Sequence, residues 1–168
     1  MDLEQRILKL VSSKNSYIHD DCAYLSKSQQ LVSTDTLVEN VHFDRNHFNA
    51  SEIAHRLFVS SFSDIQSSGG YPEYALLNVS FPTKSFKITQ QIVKFFKKLL
   101  AKHNIKLIGG DTTSSSEICL SSTFISKPIM KNKIINRKNA KVGDSIYTLK
   151  DIGFSKLGYL SLFKKQYL

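Results

Sequence analysis

Residues 74–113, YALLNVSFPTKSFKITQQIVKFFKKLLAKHNIKLIGGDTT, carry the pattern that decides the fold. The apolar run at 74–81 has the length of a strand and stops at Pro82. Residues 87–103 repeat at helical spacing, with Ile88, Ile92, Phe95, Phe96 and Leu99 on one side and Lys94, Lys97, Lys98 and Lys102 on the other. A second short apolar run at 105–108, expected as a buried strand, leads into Gly109-Gly110-Asp111. Strand, helix and strand in succession form the unit from which α/β sheets are assembled.

The flanking sequence extends this alternation. Residues 2–12 read as a short helix striped by Leu3, Ile7, Leu8, Leu10 and Val11, and 14–20 as a polar loop. Residues 22–25 and 30–34 read as strands, the second delivering Asp35 at its end. Residues 51–67 place Ile53, Leu57, Phe58, Phe62 and Ile65 at helical spacing, with Ser51 as N-cap. Ser68-Gly69-Gly70-Tyr71-Pro72 closes that helix, glycine just past its end and proline soon after. Strands follow at 118–125 and 145–149, then a helix at 155–163. The expected class is α/β (α+β), a mixed sheet with helices packed on one face. Gly143-Asp144 opens a new element after a basic stretch, so a first domain over 1–140 and the start of a second over 141–168 are expected.

The 168 residues include 23 Lys+Arg against 14 Asp+Glu, a formal charge of +9, and 41% are hydrophobic. That apolar content supports a core and excludes wholesale disorder. No apolar run approaches the roughly 20 residues that span a bilayer, and the N-terminal stretch is interrupted by charges, unlike a signal peptide. Cys22 and Cys119 allow at most one bridge and no CxxC metal spacing. A cytoplasmic chain is expected. The positive charge admits nucleic acid, an anionic surface or small polyphosphates as partners. However, the lysines of 94–102 read as a solvated helix face, and the six Lys/Arg of 127–141 lack interleaved aromatics. Neither nucleic acid nor a membrane is expected as partner.

The acids are more informative. Asp20 and Asp21 are adjacent, and Asp35, Asp64 and Asp111 each stand beside Ser, Thr or Gly. Such oxygen-rich surroundings suit Mg²⁺, which binds through one or two carboxylates together with substrate phosphates. The same residues also mark turns and helix caps, so each alone is ambiguous. There is no GxxxxGK[ST] loop, GxGxxG turn, HExxH pair or GxSxG elbow.

Taken in order, the motifs are more specific. Asp20-Asp21-Cys22-Ala23, Ser33-Thr34-Asp35-Thr36-Leu37-Val38-Glu39-Asn40-Val41-His42-Phe43, Ser63-Asp64 leading to Gly70 and Pro72, Ile108-Gly109-Gly110-Asp111-Thr112-Thr113, and Arg137-Lys138-Asn139-Ala140-Lys141-Val142-Gly143-Asp144-Ser145-Ile146-Tyr147 follow one another. Together they resemble the thiamine-monophosphate kinase family, one of the ATP-dependent enzymes similar to aminoimidazole-ribonucleotide synthetase. The resemblance implies that Asp21, Ser33, Thr34, Asp35, Asp64 and Asp111 hold Mg²⁺. It implies that Gly110, Asp111 and Arg137 contact ATP and that His42 lies at the thiamine-monophosphate site. It further implies the N-terminal domain fold of that superfamily, with sheets pairing in a homodimer, and ATP-dependent phosphorylation of thiamine monophosphate to the diphosphate. Such a transfer depends on positioning and charge neutralisation. A phosphate monoester, with a second pKa of about 6, is already an oxyanion at neutral pH, so no side chain is expected as a dedicated base.

Two departures from the family pattern stand out. His19 replaces the glycine that usually precedes the paired aspartates, where a side chain can crowd the loop. The second domain, which completes the cleft in the family, is represented here only by 141–168. A separate chain supplying that domain is therefore one expectation, and a non-catalytic, dimeric Mg-nucleotide-binding half is the alternative. Ile152, Phe154, Leu157, Leu160, Leu162 and Phe163 are expected to form an exposed apolar patch.

Overall fold

The computed structural model of the protein describes residues 3–11, 20–130, 133–148 and 152–163, so His19 lies outside the described residues. The elements are α1 (Leu3–Val11), β1 (Ala23–Leu25), β2 (Gln30–Val38), α2 (Ala50–Ser67), β3 (Gly70–Phe81), α3 (Phe86–Lys102), β4 (Lys106–Ser114), β5 (Cys119–Pro128) and α4 (Phe154–Phe163). By internal contacts the chain divides into a unit over Met1–Arg137 and a unit over Lys138–Leu168.

In the first unit, the five strands form one mixed sheet in the order β1-β2-β5-β3-β4. β3 and β4, joined through α3, are parallel, and the other neighbours are antiparallel. Two-residue alternation decides which face is covered. Leu120, Ser122, Phe124 and Ser126 of β5 are buried, as are Leu31, Ser33 and Leu37 of β2 and Ala75, Leu77 and Val79 of β3. Against this face lie Ile53, Leu57, Phe58 and Ile65 of α2 and Ile92, Phe96 and Leu100 of α3. Phe124 sits centrally, edge-on to Phe58 at 5.5 Å between ring centroids and stacked on Phe96 at 6.4 Å. The opposite face is more open and carries hydroxyls: Thr123 donates to Thr34 (2.9 Å), and Thr36 bonds Ser121 (2.7 Å).

Several sequence expectations are corrected. β2 does not end at Asp35 but continues to Val38, because eight consecutive residues, Leu31–Val38, pair with β5. The N-cap of α2 is Asn49, not Ser51: its side chain accepts from the N–H groups of Ser51 (2.9 Å) and Glu52 (3.1 Å), and Glu52 accepts from the Asn49 N–H (2.8 Å). This reciprocal box satisfies donors that a helix start would otherwise leave unpaired. Gly69, at φ +83°, makes the turn out of α2. β3 then starts at Gly70 and runs through Pro72, where a register shift beside Tyr74 accommodates the proline. β4 is longer than expected and exposed along its length, because it is the edge strand. Phe95 is exposed on α3, beneath the Lys98 ammonium at 5.4 Å, while Leu100 takes a core position.

In the second unit, residues 145–148 have no regular structure, contrary to the expected strand, and Leu149 lies outside the described residues. Ile152, Phe154 and Leu157 are exposed at and near the start of α4, as expected, whereas Leu160 is half-buried. The side chains of Leu162 and Phe163 are outside the description. Among the described residues no helix is long and apolar enough to cross a membrane.

Replacing Asn49 by alanine removes the cap of α2 and is expected to cost about 1 kcal/mol of stability. Urea unfolding of the Asn49→Ala chain should show a lower midpoint with an unchanged slope.

Candidate functional site

Three of the acids singled out in the sequence converge at one edge of the helix-covered face. On β2, Ser33 and Asp35 share the face of Leu31 and Leu37 and so point toward α2. Asp64 stands in the last turns of α2, where its Oδ2 accepts a hydrogen bond from Ser33 Oγ (3.0 Å). Asp21 precedes β1 and forms an ion pair with Arg137.

The electrostatics reflect this convergence. Burial raises the Asp64 carboxyl above its ordinary value, the Ser33 hydrogen bond opposes that rise, the Asp35 and Asp21 charges add to it, and Arg137 counters it. Asp35 Oδ2 is buried without a hydrogen-bond partner. An unsatisfied, shielded carboxylate oxygen near the Asp64 carboxylate is costly unless a cation joins it. Among the described residues, no three His, Cys, Asp or Glu side chains are close enough to make a metal cage by themselves. The arrangement suits Mg²⁺ all the same, since that ion keeps waters and phosphate oxygens in its shell and needs few protein ligands.

The remaining candidates lie elsewhere. The Thr34 hydroxyl is on the opposite face of the sheet, bonded to Thr123. Asp111 is on the edge strand β4, beside Asn78 in register, and its Oδ1 accepts from the Thr112 N–H (2.8 Å). The register aligns Asp35, Ser122, Leu77 and Gly110 across the sheet. Gly110, and with it Asp111, is therefore three strand spacings, or roughly 14 Å, from Asp35. Gly110 has φ +149°, and a Cβ there would run into the Leu77 backbone, so only glycine fits. His42 lies in the loop after β2, its Nδ1 accepting from the Val38 N–H (3.0 Å).

Cys22 and Ser68 belong to the carboxylate cluster but were not singled out by sequence. The buried Cys22 thiol is pushed up to about 11, chiefly by burial and further by Asp64, Asp21 and Asp20, with a Ser68 hydrogen bond opposing. It is thus a neutral wall of the cluster rather than a nucleophile. Only its adjacency to Asp21 could have signalled this, because Ser68 arrives through the fold.

A family model described as AIR synthase related protein, N-terminal domain, matches residues 19–127. The thiamine-monophosphate kinase of Leptospira interrogans is 33% identical over 159 residues, covering 93% of this chain and 50% of that protein. Among solved structures, thiamine monophosphate kinase from Aquifex aeolicus superposes with a TM-score of 0.81 at 24% identity, over 99% of this chain and 54% of that one. A structure described as AaThiL complexed with AMPPCP and TMP gives a TM-score of 0.82 at 24% identity, over 99% and 53%. The chain thus spans about half the length of the curated relatives it matches.

The raised Asp64 carboxyl has a consequence for stability. The folded state holds this proton to higher pH than the unfolded chain, so the contribution of Asp64 is greatest below the ordinary carboxylate range and is lost as pH rises through the folded value. Asp64→Asn, which can still accept from Ser33, should therefore melt higher than the parent at pH 7. The gain should shrink as the pH is lowered into the carboxylate range, and equal differences at all pH values would contradict this origin.

Proposed function

Since the chain belongs to the AIR synthase related family by its N-terminal domain, we propose that it is the Mg²⁺- and ATP-binding half of a thiamine-monophosphate kinase. The observation that carries this reading is the convergence of Asp21, Asp35 and Asp64, with the buried Asp35 oxygen unpartnered. A neighbour in fold is described with an ATP analogue and TMP bound, which supports the same ligand classes here.

In this proposal Asp35 and Asp64 hold Mg²⁺, with Asp21 beside them and Ser33 orienting the Asp64 carboxylate through its hydroxyl. When bound, the ion would supply positive charge against the phosphate oxygens involved in the transfer. Arg137 answers the Asp21 charge in the free chain and is free to turn its remaining guanidinium donors to a phosphate. Gly110 and Asp111 provide a separate contact with the phosphate chain, on the strand where a side chain at 110 is excluded. Thr34 contributes through its backbone, its hydroxyl being engaged on the open face. His42 binds thiamine monophosphate. No side chain is assigned as a general base, since the acceptor is already an oxyanion.

Pairing of open sheet faces in a homodimer and a cytoplasmic location belong to the same proposal, as does a second domain that begins near residue 141. Because the chain spans half of its curated relatives, turnover is proposed to require the complementary domain, on this or another polypeptide. That same coverage favours one other reading, a dimer that binds Mg-nucleotide without turnover.

Calorimetric titration with a non-hydrolysable ATP analogue should give Mg²⁺-dependent binding, weakened at least about tenfold by Asp35→Asn, in line with the loss of one charge-assisted ligand. Affinity unchanged by EDTA would refute the proposal. Formation of thiamine diphosphate from thiamine monophosphate, ATP and Mg²⁺ once a complementary C-terminal domain is added separates the kinase from the non-catalytic reading.

A further inference from the structure

The loop that follows β2 is more tightly built than presenting one histidine requires. Glu39 is only 5% exposed. Its carboxylate accepts from the buried Ile118 N–H (3.0 Å) and forms an ion pair with Arg45, while its own N–H donates to the Ile118 carbonyl (2.9 Å). Phe43 is buried, and its carbonyl accepts from the Asn40 N–H (2.8 Å). Asn40 takes a left-handed conformation, φ +63°, that asparagine tolerates better than most residues, and its amide donates to Glu117 (2.9 Å). These bonds close the loop over 39–45 around a buried acid.

His42 is held within this frame at two points, both on Val38. The His42 N–H donates to the Val38 carbonyl (2.8 Å), and the Val38 N–H donates to His42 Nδ1 (3.0 Å). Because Glu39 N–H points at β5, the preceding Val38 N–H points away from the sheet, where the ring meets it. A nitrogen that accepts a backbone N–H carries no hydrogen, so the neutral ring bears its proton on Nε2. The loop thus sets both the orientation of the ring and the polarity of the nitrogen left for a ligand: Nε2 is a donor.

We propose that Glu39 is a positioning residue that, through its buried pair with Arg45 and its bond to Ile118, holds His42 as a fixed Nε2–H donor to a hydrogen-bond acceptor of the substrate. Identifying that substrate as thiamine monophosphate rests on the function proposed above. The acceptor is a phosphate oxygen or an atom of the thiamine moiety, and comparing the two ligands distinguishes these sources. Glu39 itself touches no substrate. Its carboxylate carries the constraint because it is the group that ties the loop to the start of β5.

The test combines two measurements on the full chain. Amide hydrogen exchange should show Val38 protected in the parent and exchanging about tenfold faster in Glu39→Gln, the scale of one lost hydrogen bond, while Leu120 and Phe124 keep their protection. Nitrogen-15 spectra of the imidazole should show a single Nε2–H form for His42 in the parent and a mixture of forms in the variant. Arg45→Gln, at a half-exposed position, should change both signals in the same direction and decides the matter if Glu39→Gln does not fold. Parent-like Val38 exchange and His42 signals in the folded variants would overturn the proposal. Adding thiamine monophosphate should move Nε2 and leave Nδ1 in place, and a response to thiamine alone would assign the acceptor to the thiamine moiety. A locked ring that ignores both ligands would overturn the proposal as well, while Mg²⁺-dependent nucleotide binding would still be tested separately.

Discussion

Everything at the carboxylate cluster depends on how closely α2 lies against β5. Ser61 of α2 and Ser122 of β5 make that approach possible: Ser61 Oγ lies within hydrogen-bond reach of the Ser122 carbonyl (3.0 Å), Ser122 Oγ within reach of the Leu57 carbonyl (3.1 Å), and the two hydroxyl oxygens are 3.1 Å apart. Small side chains at this contact bring the helix near the sheet, and the two hydroxyl protons, shared among these acceptors, leave neither hydroxyl unpaired in a buried setting where that would be costly. The larger residues on either side, Phe58, Phe62 and Phe124, fill the space around it. Asp64 lies one turn beyond Ser61, so the same approach brings its carboxylate to Ser33 and Asp35 on the neighbouring strand. A bulky residue at 61 or 122 would separate helix from sheet and the acids with them.

The cluster works against the fold that builds it. Gathering acids at a half-buried edge raises the Asp64 carboxyl and leaves a shielded oxygen on Asp35 unpartnered, which costs stability in the free chain. A divalent cation would turn that cost into affinity, because the repulsion relieved on binding adds to the attraction for the ion. The Arg137–Asp21 pair relieves part of it without filling the site.

Much of this was legible in the sequence, for identifiable reasons. The stripe Ile53, Leu57, Phe58, Phe62 and Ile65 announced α2 and its buried face, since helical periodicity is a local property. The run at 74–81 likewise announced β3. Strand ends and caps were harder, because they depend on partners: Asp35 lies mid-strand only because β5 pairs beyond it, and Asn49 caps α2 because Glu52 reaches back. The exposure of β4 could not be read from its apolar start, since edge position is a property of sheet order. Among the candidate site residues, Ser33 bonds Asp64, and Asp35 and Asp21 lie near enough to raise its carboxyl. Motif resemblance also grouped Thr34 and Asp111 with them, but a motif records which residues matter and not which face of a strand each one occupies. Glu39 lies within the Ser33–Phe43 motif, but its role emerges only when Ile118 and Arg45 are folded around it.

In the function proposed, acids distant in sequence form one magnesium-nucleotide site on the first unit. Manganese can stand in for magnesium at oxygen ligands and broadens the resonances of nuclei near it. With a non-hydrolysable ATP analogue and substoichiometric Mn²⁺, the amides of Asp21, Ser33, Asp35 and Asp64 should broaden before those of the α3 lysines, and excess Mg²⁺ should restore them. Broadening centred elsewhere, or none at these four residues, would contradict the account.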